Sequence, residues 1–287
     1  MRRIPPPSSF VFTAFILIAG IAAWTLEARP ERASGNLPTG VSLPIQGTPA
    51  ISANPVHPDS VGVLLERHHE LRVPGVDVED YLLYLPPGIE RGEDKWPIVL
   101  WLHGRSLRGR DLSLLKRYGP PALIARGHHL PFVVVAPQLP PDGSWYDLGP
   151  VADLLDEVVA RYPIDPDRVY LLGFSMGGGG AYRMAFDYGD RFAAMIAIAG
   201  HTPEARPDRV RAVERFPFLA IHGAQDLRVP LAPARRMAEA LARDRAPQFE
   251  FRLIPGMNHS QLERLTRDEG LYAWLLGHRR AGTVSAS

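Results

Sequence analysis

The sequence predicts an α/β fold: a doubly wound, mostly parallel, eight-stranded sheet with helices on both faces and no large lid domain. Three observations carry that prediction. Short, nearly continuous apolar runs recur along the chain, as expected of strands buried on both faces. Helical apolar patterns lie between them, so strand alternates with helix. The segment between Gly200 and Phe216, where a lid would be inserted, is short.

The elements follow in order. MRRIPPPSS is a short basic start, and Phe10 to Trp24 form an unbroken apolar run. As a helix that run is roughly 22 Å long, against about 30 Å for a bilayer core. Residues 1–28 therefore read as a secretory signal, with candidate cleavage sites after Ala28 and Ala33. The alternative is an anchor at residues 10–26 that holds the chain to the membrane. The expected location is exported, periplasmic or secreted. Residues 29–58 are rich in Pro, Gly, Ser and Thr without a sustained period and read as a flexible linker. Residues 59–280 form the predicted folded domain, and 281–287 a disordered tail.

Within the domain, VLLERHHELRV and YLLYLPPG read as an opening pair of strands. WPIVLWLHG, FVVVAPQ, RVYLLGFS, AAMIAIAG, FLAIHGAQD and FEFRLIPG read as six more, the last alternating as an edge strand would. Helices are predicted at about 111–126, 149–162, 177–189, 231–245 and 260–276. In the second, Val151, Leu154, Leu155, Val158 and Val159 share one face.

Composition narrows the functional classes. Thirty-two basic and 31 acidic side chains leave a net charge of +1, which gives no electrostatic basis for nucleic-acid binding. The membrane is expected to matter only through the N-terminal segment. Cysteine is absent, which excludes disulfides, thiolate zinc sites and cysteine nucleophiles. The pairs His68-His69 and His128-His129 chelate badly, because neighbouring residues on a strand face opposite ways. No metal or other cofactor is expected, and oligomeric state is left open.

Gly173-Phe174-Ser175-Met176-Gly177 reads G-x-S-x-G between a predicted buried strand and a predicted helix. In a nucleophile elbow the serine is forced into a strained conformation that lifts its hydroxyl above the sheet. The positions two before and two after must be small, because backbone passes close to them. Three further glycines, Gly178 to Gly180, weaken the helix by about 1 kcal/mol each relative to alanine, which points to a geometric need. A serine nucleophile needs a histidine base, and the base needs a carboxylate to fix its tautomer. Asp226 follows a buried strand and His259 follows the last strand, in the chain order Ser, Asp, His. All three positions fall at carboxyl ends of strands, where ligands sit in an open α/β sheet. Asp187, Asp190, Asp208 and Glu250 are weaker acids for the role, and His201 is the rival base.

The oxyanion of an attacked carbonyl needs preorganised donors. The N–H of Met176 is one candidate, and that of Arg105, with Ser106 as alternative, is the other. His103, Gly104, Ser106, Trp145 and Tyr146 are candidate substrate contacts. For Trp145 and Tyr146, lining the cleft and pinning the next helix stand as equal readings. The basic stretch RSLRGR suggests a substrate bearing a carboxylate or other anion, against the alternative of a solvated loop.

The stretches YLLYLPPGIERGEDKWPIVLWLHGRSLRGRD, FVVVAPQ, IDPDRVYLLGFSMGGGGAYRMAFDYGDRFAAMIAIAG and HGAQDLRVP resemble bacterial serine esterases of the α/β-hydrolase superfamily over roughly residues 61–277. The phospholipase/carboxylesterase and dienelactone-hydrolase-like groups are the most similar. Predicted peptidases and polyhydroxybutyrate-depolymerase-like or feruloyl-esterase-like proteins share the layout. The resemblance implies nucleophile Ser175, acid Asp226, base His259 and oxyanion donors at Arg105 and Met176. It also implies a small-molecule ester as substrate and no cofactor. The basic loop after His103 departs from the usual pattern, and dienelactone hydrolases proper use cysteine where this chain has serine.

Overall fold

The computed structural model describes residues 61–68, 80–92, 94–202, 216–243 and 248–280. The predicted signal, linker and tail lie outside the described residues, as does most of the segment between Gly200 and Phe216. The strands are β1 (Leu64–His68), β2 (Asp80–Tyr84), β3 (Trp96–Leu102), β4 (Val133–Gln138), β5 (Ile164–Phe174), β6 (Ala194–Ile198), β7 (Phe218–Gly223) and β8 (Phe249–Ile254). They form one sheet in the order β1-β2-β4-β3-β5-β6-β7-β8. β1 and β2 pair antiparallel, β2 meets β4 antiparallel, and every pairing from β4 to β8 is parallel. The carboxyl ends of β3 to β8 therefore share one rim.

The apolar runs form strands because both faces of the sheet are covered. Along β3, Ile98, Leu100 and Leu102 enter one core cluster, while Val99 and Trp101 enter the other. That two-residue alternation with no exposed side is what a continuous apolar run satisfies. The first cluster is closed by helices α2 (Gly149–Arg161), α3 (Met176–Tyr188) and α4 (Leu231–Arg243). On α2, Val151, Leu154, Leu155 and Val158 are buried, and Val159 packs against the same cluster. The second cluster is closed by a 3-10 segment, Leu112–Arg117, and by helices α1 (Gly119–Ile124) and α6 (Glu269–Leu276). β8 is the edge strand, as its alternation predicts, and its Glu250 is paired with Arg252 at the surface.

Two predicted helices are broken. The stretch 111–126 divides at Tyr118, which is extended at φ −136° and ψ 168°. Pro120 and Pro121 lack the N–H groups that continuous helical bonding needs, and a proline is tolerated only in a helix's first turn. A new helix therefore starts there. The stretch 260–276 divides into α5 (His259–Leu262), a 3-10 turn (Glu263–Arg267) and α6. Here Asp268 is the break: its side chain accepts from the N–H of Leu271 and caps α6.

Candidate active site

Ser175 sits between β5 and α3 at φ 55° and ψ −114°. A non-glycine residue there is strained and persists only where its surroundings enforce it. The enforcement is backbone packing. A Cβ at Gly177 would collide with the carbonyl of Leu102, and one at Gly173 with the carbonyl of Gly177. The Ser175 N–H donates to the carbonyl of Ile198 at 2.8 Å, tying the elbow to β6. The turn thus holds the serine side chain above the rim.

Asp226 lies beyond β7 and is 6% exposed. Its Oδ1 accepts from the N–H groups of Arg228 and Val229, both at 2.9 Å. His259 opens α5, and its place is fixed by a capping box: Asn258 accepts from the N–H of Gln261, and Gln261 accepts from the N–H of Asn258. These loops bring the three predicted side chains together. His259 Nδ1 lies 2.7 Å from Asp226 Oδ2, and His259 Nε2 lies 2.9 Å from Ser175 Oγ. An ionised carboxylate only accepts, so Nδ1 carries the proton and Nε2 is left to accept from the serine hydroxyl. Burial pushes the Asp226 carboxyl up. The Val229 N–H, the His259 imidazole and the Arg228 N–H together outweigh burial and hold it below its ordinary value.

The serine opens into a cleft of about 380 Å³ lined by Arg105, Tyr118, Met176, Arg228, His259 and Glu263, among others. Met176 is the first residue of α3, and Arg105 the first of a 3-10 turn, Arg105–Leu107. N–H groups in a helix's first turn have no carbonyl within the helix to bind, so both can point at a developing negative charge. Gly104 and Ser106 also line this cleft. A larger hollow of about 930 Å³ opens at the amino-terminal ends of β6 to β8 and contains none of the three side chains. Volume is therefore a poor guide to chemistry here.

His103 is a correction. Predicted as a substrate contact, it is fully buried. Its Nδ1–H donates to the carbonyl of Gly104 at 2.8 Å, and its Nε2 accepts from the N–H of Leu139 at 3.1 Å. Both ring nitrogens are occupied by backbone, and burial drives its pKa down to about 4, so the ring is neutral. It braces the loop after β3. Trp145 joins it: the indole N–H donates to the carbonyl of His103 at 2.9 Å. Trp145 thus braces the loop after β3 and also lines a hollow beside the serine's cleft, as does Tyr146, which is 73% exposed. His222 is buried and within 3.0 Å of the carbonyl of Val229, as suits a strand-end brace. The rival base His201 lines the cleft, but the Ser175 hydroxyl is engaged by His259. Asp208 lies outside the described residues.

Sequence reasoning did not single out Tyr118, Arg228 or Glu263. Arg228 had a signal, two residues past the predicted acid. Glu263 had another, one turn beyond His259 on a predicted helix. Burial pushes the Glu263 carboxyl up, against the opposing pull of Arg267, whose guanidinium lies 3.2 Å away. Among the described residues, no group of three or more His, Asp or Glu side chains is placed to hold a metal ion.

The comparisons agree with this architecture. The sequence profile of the alpha/beta hydrolase family matches residues 99–283. The chain belongs to that family. It is 31% identical over 171 residues to NocK of Nocardia uniformis subsp. tsuyamanensis, a protein named as an esterase, covering 56% of this chain and 48% of the relative. It is 27% identical over 162 residues to a poly(3-hydroxyoctanoate) depolymerase of Pseudomonas fluorescens, covering 47% of this chain and 58% of the relative. The chain thus spans about half the length of these curated relatives. Among solved structures, a thermostable esterase superposes with a TM-score of 0.66 at 24% identity, covering 77% of this chain and 64% of that one. That likeness shows the shared fold.

Proposed function

We propose that this chain is a serine hydrolase that cleaves carboxylic esters through an acyl-enzyme. The observation that carries the reading is the unbroken relay from Asp226 through His259 to Ser175 at the head of a cleft. In the first half-reaction the Ser175 oxygen attacks the ester carbonyl while His259 Nε2 takes the hydroxyl proton. Asp226 keeps Nδ1 protonated and stabilises the imidazolium. The oxyanion is held by the N–H groups of Met176 and Arg105. Collapse expels the alcohol, which receives the proton from His259. In the second half-reaction water adds to the acyl carbon, gives its proton to His259, and the acid leaves as the proton returns to Ser175. No cofactor enters either half. The names of the two relatives, an esterase and a polyester depolymerase, support ester chemistry.

Peptide hydrolysis and acyl transfer to a second alcohol use the same relay, whereas a binding protein needs none of it. The test is turnover of p-nitrophenyl butyrate by wild type and Ser175→Ala, with the matching anilide alongside. Ester turnover lost in the variant, with the anilide much slower, supports the reading. Equal rates on the anilide favour a peptidase, and no turnover of either favours a binder. We further propose that residues 1–28 direct export, on the strength of the basic start and the apolar run that follows it.

A further inference from the structure

We propose that the cleft has a second lobe that takes an anionic group of the substrate, so that the preferred esters carry a carboxylate a few carbons from the reacting carbonyl. This rests on the ester-hydrolase reading above and names the substrate class for the same site.

The second lobe, about 340 Å³, adjoins the serine's cleft and shares Arg105, Met176 and His201 with it. One face of α3 forms its wall: Met176, Gly179, Gly180 and Arg183 all line it. They stand at i, i+3, i+4 and i+7, the spacing of a single helical stripe. The stripe therefore begins beside the nucleophile and ends in a cation. Arg183 lies about 10 Å along the axis from Met176, and helical side chains lean back toward the amino terminus. A side chain leaning that way covers the stretch of stripe between Arg183 and Met176.

The charges in the lobe are one-sided. Among the described residues, Arg105 and Arg183 line it, and no Asp or Glu does. Among the described residues neither arginine has an ion-pair partner. The Arg183 guanidinium is 4.3 Å from the centroid of the Tyr146 ring. Stacking leaves the edge of the guanidinium free to donate in a planar fork, the geometry that binds a carboxylate with two bonds. Of the nearby acids, Asp147 accepts from the N–H of Gly149 at 3.0 Å, and Glu263 faces Arg267 in the other lobe; Asp187 is exposed one turn beyond Arg183 on α3. Arg228, exposed and lining the serine's own cleft, adds a third positive charge.

The experiment compares p-nitrophenyl butyrate with the mono-p-nitrophenyl ester of glutarate, in wild type, Arg183→Gln and Arg183→Lys. Glutarate binding is measured in parallel by calorimetry at low and high salt. Wild type should favour the anionic ester in kcat/KM. That preference should fall about tenfold in Arg183→Gln, the loss of one charged hydrogen-bonding partner, and by less in Arg183→Lys. Glutarate should bind wild type more weakly at high salt, and Arg183→Gln more weakly than wild type. An unchanged preference or unchanged glutarate binding in Arg183→Gln overturns the inference and makes Arg183 a solvated surface arginine. Failure of wild type to turn over either ester sinks the hydrolase reading instead, while the calorimetry still decides whether the lobe takes a carboxylate.

Discussion

Ser175, His259 and Asp226 act at the residue scale, where each supplies one property the others lack. The serine is aimed by strain, the histidine by a capping box, and the aspartate by two backbone N–H groups. Under the proposed mechanism Ser175→Ala lowers kcat on p-nitrophenyl butyrate by at least about 10³-fold. Asp226→Asn lowers it by about 10⁴-fold, because the amide favours the wrong imidazole tautomer. Steady-state kinetics of the two purified variants checks both. The depressed Asp226 carboxyl also makes a stability prediction. Folding favours its ionised form, so that contribution is complete above the ordinary carboxyl pKa of about 4 and is lost as pH falls through the lower, folded value. Denaturant unfolding of wild type and Asp226→Asn should therefore differ more at pH 6 than at pH 3. The relay residues were legible in the sequence because each follows a predicted strand and chain order assigns the roles. His103 follows a strand too, and its role was not legible. Nothing in the order of residues says that its ring turns inward to meet the N–H of Leu139.

At the scale of the element, the glycines of the elbow do different work from those at helix ends. Gly177→Ala places a methyl group against the carbonyl of Leu102, which is part of β3 and cannot retreat. We expect a loss of about 3 kcal/mol or more. Gly277→Ala, at the end of α6, meets only ordinary contacts of 3.5 Å at φ −71°, and should change stability by less than about 0.5 kcal/mol. Thermal unfolding of the pair measures the contrast. The strands were legible because both-face burial demands an unbroken apolar run. Two helices were overextended, at Tyr118 and at Asp268, although the signals were present: paired prolines and a capping aspartate. The apolar period continues across both breaks and masked them. The wall that ends in Arg183 was hidden for another reason. Its stripe is visible on α3, but its meaning depends on the loop carrying Trp145 and Tyr146, which is far away in sequence.

The whole molecule sets where these parts meet. In the order β1-β2-β4-β3-β5-β6-β7-β8, the parallel strands send every loop that carries the relay to one rim. The chain adds strands outward in opposite senses from β3 and from β5, and between such strands a doubly wound sheet opens a crevice. The fold class could be read from alternation alone; the pairing of β2 beside β4 could not, because register between distant strands leaves no local trace. The proposed export is tested by the intact mass of protein recovered outside the cytoplasm, which should begin just after Ala28 or Ala33. A full-length mass there supports the retained anchor. The central claim is that Ser175 is an activated nucleophile, and labelling with a fluorophosphonate probe followed by peptide mass spectrometry tests it most directly. The account predicts one phosphonyl group per chain, on Ser175, with loss of p-nitrophenyl butyrate turnover and no labelling of Ser175→Ala. An unlabelled Ser175 in folded protein, or equal labelling of the Ser175→Ala variant, would contradict it.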